Sequence, residues 1–133
     1  MRGIIPRAIE QVASSKEKME DQGWMYTMHV SFIEIYNEKI KDLLRSKGSG
    51  DDDQVHKVVT NNYGQNVVTN AQMVEVDPAD HAEIDELMAI AAGARATAKT
   101  DMNAESSRSH SVFTLHLEVC MASDLNFAVN ICV

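Results

Sequence analysis

The sequence is short of positive charge. Its 12 lysines and arginines stand against 20 aspartates and glutamates, a net charge of −8. Direct binding to DNA or RNA needs a basic stripe, and none is visible, so no nucleic-acid partner is expected. No apolar run approaches the roughly 18 residues of a membrane span. Met1-Arg2-Gly3 leads into a polar helical pattern and not a signal-peptide core, which points to an intracellular chain. The two cysteines, Cys120 and Cys132, read as free thiols. His29, His56, His81, His110 and His116 show no metal-ligand spacing with either cysteine. What is present is an ordinary globular mixture, 44% hydrophobic and 24% charged, which argues against wholesale disorder. A length of 133 residues allows one domain with its own core.

Ile5, Ile9, Val12 and Ala13 recur at helical spacing, with Pro6 early enough to cost no hydrogen bond. They predict a helix over about 5–19, frayed toward Ser14-Ser15 and broken at Gly23. The stretch WMYTMHVSFIEIY, residues 24–36, is rich in aromatic and β-branched residues without clean alternation, as in a central strand covered on both faces. Glu34 is unusual there and reads as a satisfied structural carboxylate. Asn37 reads as the cap of a short helix carrying Ile40, Leu43 and Leu44. Residues 45–54, RSKGSGDDDQ, form a flexible loop by composition, its adjacent aspartates repelling one another.

Short strands near 55–60 and 66–69 can pair across Asn61-Asn62-Tyr63-Gly64, and another covers 73–76. Asp77-Pro78-Ala79-Asp80 starts a helix of about 78–98, with Asp77 as cap and Pro78 in the first turn. Ile84, Leu87, Met88, Ala91 and Ala92 give it a 3.6-residue period. The last strong strand is 111–119: Phe113, Leu115, Leu117 and Val119 face one way, Thr114, His116 and Glu118 the other. The segment DLNFAVNICV can add a further strand. This order of helices and strands predicts an α/β fold with helices covering a sheet.

Between the long helix and that strand lie Thr100 to His110, polar or small but for Met102. Serine hydroxyls can ligate a hard cation such as magnesium, asparagine can donate to phosphate, and arginine can grip phosphate or carboxylate with two bonds. By residue type alone, a capped surface turn explains the segment more simply.

Asn103, two variable residues, then Ser106-Ser107-Arg108-Ser109-His110 resembles the switch I region of kinesin motor domains, with no departure. GIIPRAIEQV resembles the start of the second motor helix, and VSFIEIYNEKIKDLL the central strand and the motif after it. NVVTNAQMVEV and the helix through Lys99 resemble the approach to switch I. Val68 to Ala71 and HSVFTLHL lean toward the C-terminal-motor, minus-end-directed branch. The resemblance covers about residues 3–119 and about the middle third of a motor domain.

The resemblance implies a partial P-loop NTPase-like kinesin motor fold, a mixed central sheet with flanking helices, incomplete at both ends. Residues 1–120 would be the partial motor domain and 121–133 a divergent tail. It implies ATP and Mg²⁺ as cofactors, microtubules as partner, and a place in the cytoplasm on the cytoskeleton. Asn103 would reach the nucleotide phosphates. Ser106 and Ser107 would contact the γ-phosphate, the attacking water and Mg²⁺, with Ser107 on the metal side. Arg108 would pair with a switch II glutamate, and Ser109 and His110 would anchor the loop to the strand. An ordered loop of this kind senses the γ-phosphate and relaxes when it leaves.

Two family motifs do not occur in these 133 residues. The phosphate-cradling G-x-x-x-x-G-K-[ST] is absent, and Gly48 and Gly50 lead into aspartates. Asp124-Leu125 is not followed by the Gly-Ser-Glu of a DLAGSE-type switch II. The expectation is therefore a segment of an ATP-driven microtubule motor whose own hydrolysis is not expected. The alternatives are a non-catalytic microtubule-associated or partner-binding module with a motor-like fold, and an unrelated α/β domain.

Overall fold

A computed structural model describes residues 3–45, 55–101, 109–121 and 126–132. The first helix, α1 (Ile4–Glu20), buries Ile9 and packs Ile5 and Val12 beside it. It does not fray at the serine pair. Ser14 Oγ and Ser15 Oγ donate to the carbonyls of Glu10 and Gln11 at 3.0 and 3.1 Å, which satisfies both hydroxyls within the helix. The helix closes where Gly23 N donates to Glu20 O at 2.9 Å, with Gly23 at φ +84°, a conformation that a Cβ would strain.

Strand β1 (Trp24–Tyr36) is the spine of the sheet. The adjacent buried residues Val30-Ser31 and Ile33-Glu34 show that both faces are covered in mid-strand, as the lack of alternation predicted. After it come β2 (Lys39–Asp42), β3 (Val58–Thr60), β4 (Asn66–Val68) and β5 (Val74–Glu75). The second helix, α2 (His81–Asp101), leads to β6 (Ser109–Met121) and β7 (Asn126–Cys132). The main sheet runs β2-β1-β6-β7, with β5 also pairing β1. β1 and β6 are antiparallel over their full length, from Trp24↔Met121 to Tyr36↔Ser109. β7 pairs antiparallel with β6, so the segment DLNFAVNICV does supply a strand. β3 and β4 form a separate hairpin, its turn held by Asn61 Oδ1 accepting from Tyr63 N and Gln65 N, each at 2.9 Å.

Two further local expectations are corrected. Residues 39–42 are strand, not helix. Asn37 and Glu38 sit at φ 46° and 60°, making a tight turn that folds β2 back onto β1 with Tyr36↔Lys39 in register. Three apolar residues at helical spacing cannot nucleate a helix against ready pairing with a strand edge. The N-cap of α2 is Asp80, whose Oδ1 accepts from Ala82 N and Glu83 N at 3.0 and 3.1 Å. Asp77 instead opens a turn, accepting from Ala79 N at 3.0 Å, and Pro78 is buried in that turn ahead of the helix.

Among the described residues the core is one cluster. Met28 and Val30 of β1 and Phe113 and Leu115 of β6 meet Ile9 of α1 and Ile84 and Ala91 of α2. Phe32 and Phe113 pack edge to face, 5.7 Å between centroids at 89°. Because side chains alternate along a strand, both helices lie over the face that carries the even positions of β1 and the odd positions of β6.

Candidate functional site

The alternation that puts Phe32 and Phe113 on the helix-covered face also puts Glu34, Tyr36, Ser109 and Ser111 there, at the end of the sheet where β6 begins. Glu34 stands directly opposite Ser111, and Tyr36 opposite Ser109. The Glu34 side chain is only 7% exposed, and its Oε1 lies 3.4 Å from Nε of Arg95 on α2. Ser109 Oγ and Ser111 Oγ are both buried without a hydrogen-bond partner. These hydroxyls leave hydrogen-bonding capacity unused beside the stretch that joins α2 to β6.

Of the residues that the sequence singles out, Ser109 and His110 are the first two of β6. Their backbones pair with Tyr36 and Ile35, and His110 is exposed. Asn103, Ser106, Ser107 and Arg108 lie outside the described residues. The geometry therefore defines the two flanks of the motif: the end of α2 on one side, the start of β6 on the other.

Sequence reading flagged Glu34 but did not find its partner Arg95, nor the buried carboxylate Asp42. A carboxylate inside an apolar strand is itself the signal, because burial demands a counter-charge or several donors. Asp42 meets that demand through the amides of Leu44 and Gln72.

Two other polar arrangements stand apart from the motif. On the opposite face, His29 and His116 are cross-strand neighbours, and His116 Nε2 lies 3.1 Å from Ser31 Oγ. At the other end of the sheet, a cleft of about 490 Å³ is lined by Lys16, Tyr26, Asp77 and Glu83 among others. Lys16 Nζ sits 3.6 Å from Glu20, 3.7 Å from Asp77 and 5.7 Å from the centre of the Tyr26 ring. Burial, with the nearby Glu20 charge, pushes the Tyr26 phenol above its ordinary value. Among the described residues, no group of three or more His, Cys, Asp or Glu could hold a metal ion, and no helix is long and apolar enough to cross a membrane.

Residues 1–129 match the kinesin motor domain family. The chain belongs to that family. It is 45% identical over 117 residues to carboxy-terminal kinesin 2 of Xenopus laevis, covering 87% of this chain and 18% of that protein. It is 38% identical over 120 residues to the human kinesin-like protein KIFC1, covering 88% and 17%. Among solved structures, a fast kinesin superposes with a TM-score of 0.82 at 31% identity, over 98% of this chain and 35% of that one. The C-terminal motor domain of Kar3 from Candida glabrata superposes with a TM-score of 0.76 at 30% identity, over 98% and 38%. The kinesin chain thus has the P-loop NTPase-like fold of these motor domains over the part it spans, a little over a third of a solved motor and under a fifth of the curated relatives.

Proposed function

We propose that this kinesin chain is the phosphate-sensing segment of an ATP-driven microtubule motor of the C-terminal, minus-end-directed kind. The observation that carries the reading is the unbroken run Asn103 to His110, which connects α2 to β6 in a chain that belongs to the kinesin family. Its donor side chains are one amide, three hydroxyls, a guanidinium and an imidazole; the amide, hydroxyls and guanidinium suit phosphate oxygens, and a hydroxyl oxygen suits a hard cation. Asn103 would donate to the phosphates of ATP. The hydroxyls of Ser106 and Ser107 would face the γ-phosphate and the attacking water, and Ser107 would hold Mg²⁺. The bound Mg·ATP supplies the electrophilic phosphoryl group and its charge neutralisation. Arg108 would pair with a carboxylate elsewhere in the motor, and Ser109 and His110 would root the segment in β6. Work of this kind places the chain in the cytoplasm, on microtubules.

The 133 residues contain no phosphate-cradling G-x-x-x-x-G-K-[ST] run, so the isolated chain is not expected to turn over ATP. The second reading is a non-catalytic microtubule-associated module. Titration with Mg·ATP, microtubule co-sedimentation and a phosphate-release assay separate them. Binding of Mg·ATP that weakens in Ser107→Ala supports the sensing role. Co-sedimentation with no nucleotide binding would favour the non-catalytic module. Microtubule-stimulated turnover by the isolated chain, abolished by Ser107→Ala, would overturn the expectation of inactivity.

A further inference from the structure

The two halves of α2 are held to the sheet by different means. In the first half, Ile84 is buried and Leu87 and Met88 pack against the core. From Ala89 onward the sequence is AIAAGARATAKTD, and among its described side chains Ala91 and Ala94 make the core contacts. A methyl group makes few dispersion contacts and fills shallow space, so alanine packing alone defines the rotation and axial position of a helix poorly. Arg95 follows Ala94 and lies one turn beyond Ala91, on the same side of the helix. Its Nε lies 3.4 Å from Oε1 of Glu34, a 7% exposed carboxylate on β1, in an ion pair without hydrogen-bond geometry.

An ion pair with one buried partner, as here with Glu34 buried and the Arg95 side chain 38% exposed, gives up part of its Coulomb energy to desolvation, and an apolar pair of similar volume often stabilises a fold as well. What an apolar pair does not reproduce is a single, long-reach electrostatic tether. We propose that Glu34 and Arg95 are a positioning pair. They set the C-terminal half of α2 on the sheet, and with it the point from which the chain departs toward β6. The orphaned hydroxyls of Ser109 and Ser111 fit this assignment, because Ser111 stands directly opposite Glu34. The anchor therefore ties the end of α2 to the level at which β6 begins. This role stands whether or not the chain binds nucleotide.

Amide hydrogen exchange on the full 133-residue chain, read beside thermal unfolding, tests it. Glu34→Gln is expected to speed exchange over residues 92–101 by about tenfold or more, while the amides shared by β1 and β6 keep their protection. Arg95→Lys, which keeps the charge, is expected to retain most of the protection, and Arg95→Met to lose it. The double variant Glu34→Met/Arg95→Met is expected to keep the melting temperature of the parent yet leave residues 92–101 fast. The proposal is overturned if Glu34→Gln leaves 92–101 as protected as before, or if it lowers protection everywhere by one factor. Restored slow exchange in the apolar double variant would also overturn it, because the pair would then be ordinary packing. Should Glu34→Gln not fold, Arg95→Lys against Arg95→Met decides alone: equal exchange over 92–101 in the two refutes the anchor.

Discussion

Replacing Asp42 by alanine should destabilise the chain far more than a surface substitution at the end of a four-residue strand would suggest. Asp42 is 7% exposed and ends β2, where one carboxylate oxygen accepts from Leu44 N at 2.9 Å and the other from Gln72 N at 2.5 Å. Leu44 is itself buried, so truncation strands its amide away from water at a cost of about 1–3 kcal/mol. Gln72 is exposed and its amide can rehydrate, so there the loss is the net worth of a bond to a charged acceptor, about 1.5 kcal/mol. Together these come to roughly 3 kcal/mol. With an unfolding entropy of about 2.1 cal/mol/K per residue, that lowers the melting temperature by about 10 °C. Asp42→Asn keeps one accepting oxygen and should cost about half as much. Urea titration and thermal melts of the parent and both variants give the comparison. A cost below about 0.5 kcal/mol for alanine, the range of an ordinary surface change, would refute the reasoning. So would equal costs for asparagine and alanine, since the two bonds would then not be separable as the geometry requires.

Asp80→Ala removes the acceptor for Ala82 N and Glu83 N and should cost about 1 kcal/mol in a denaturant titration, with Asp80→Asn close to the parent. If Asp77→Ala proves the costlier of the two, Asp80 is not the cap. Tyr26 carries a phenol whose proton is held more tightly in the fold than in the unfolded chain, because of burial and then Glu20. Its contribution to stability is therefore complete below the ordinary tyrosine range near 10 and declines as pH rises through and above it. Melting temperatures followed from pH 8 to 11 should fall less steeply in Tyr26→Phe than in the parent, and parallel curves would count against the assignment.

The long elements were legible because their patterns repeat over many residues. In β6, Phe113, Leu115 and Leu117 alternate with polar neighbours, and the structure turns that set toward the helices. In β1 the missing alternation was itself informative, since Val30-Ser31 and Ile33-Glu34 are buried on both faces. Short elements were not legible in the same way. Ile40, Leu43 and Leu44 fit a helical period by accident of spacing, and pairing with the edge of β1 decided the outcome. Asp77 and Asp80 are equally good caps by residue type, and both do accept backbone bonds, so the start of α2 depended on which aspartate the buried Pro78 left at the helix end.

For the candidate site, chain order alone carried the letters of the motif, because a run such as Ser-Ser-Arg-Ser-His is a local property of the sequence. The same holds for the α/β order and for the acidic balance of the chain. Tertiary structure decided the meeting of Glu34 with Arg95, the cross-strand row at Ser31, His29 and His116, and the burial of Asp42. Those are encounters between residues far apart in the chain. Periodicity reports which way a side chain points relative to its own element; only the register between strands and the docking of the helices determines what it meets there.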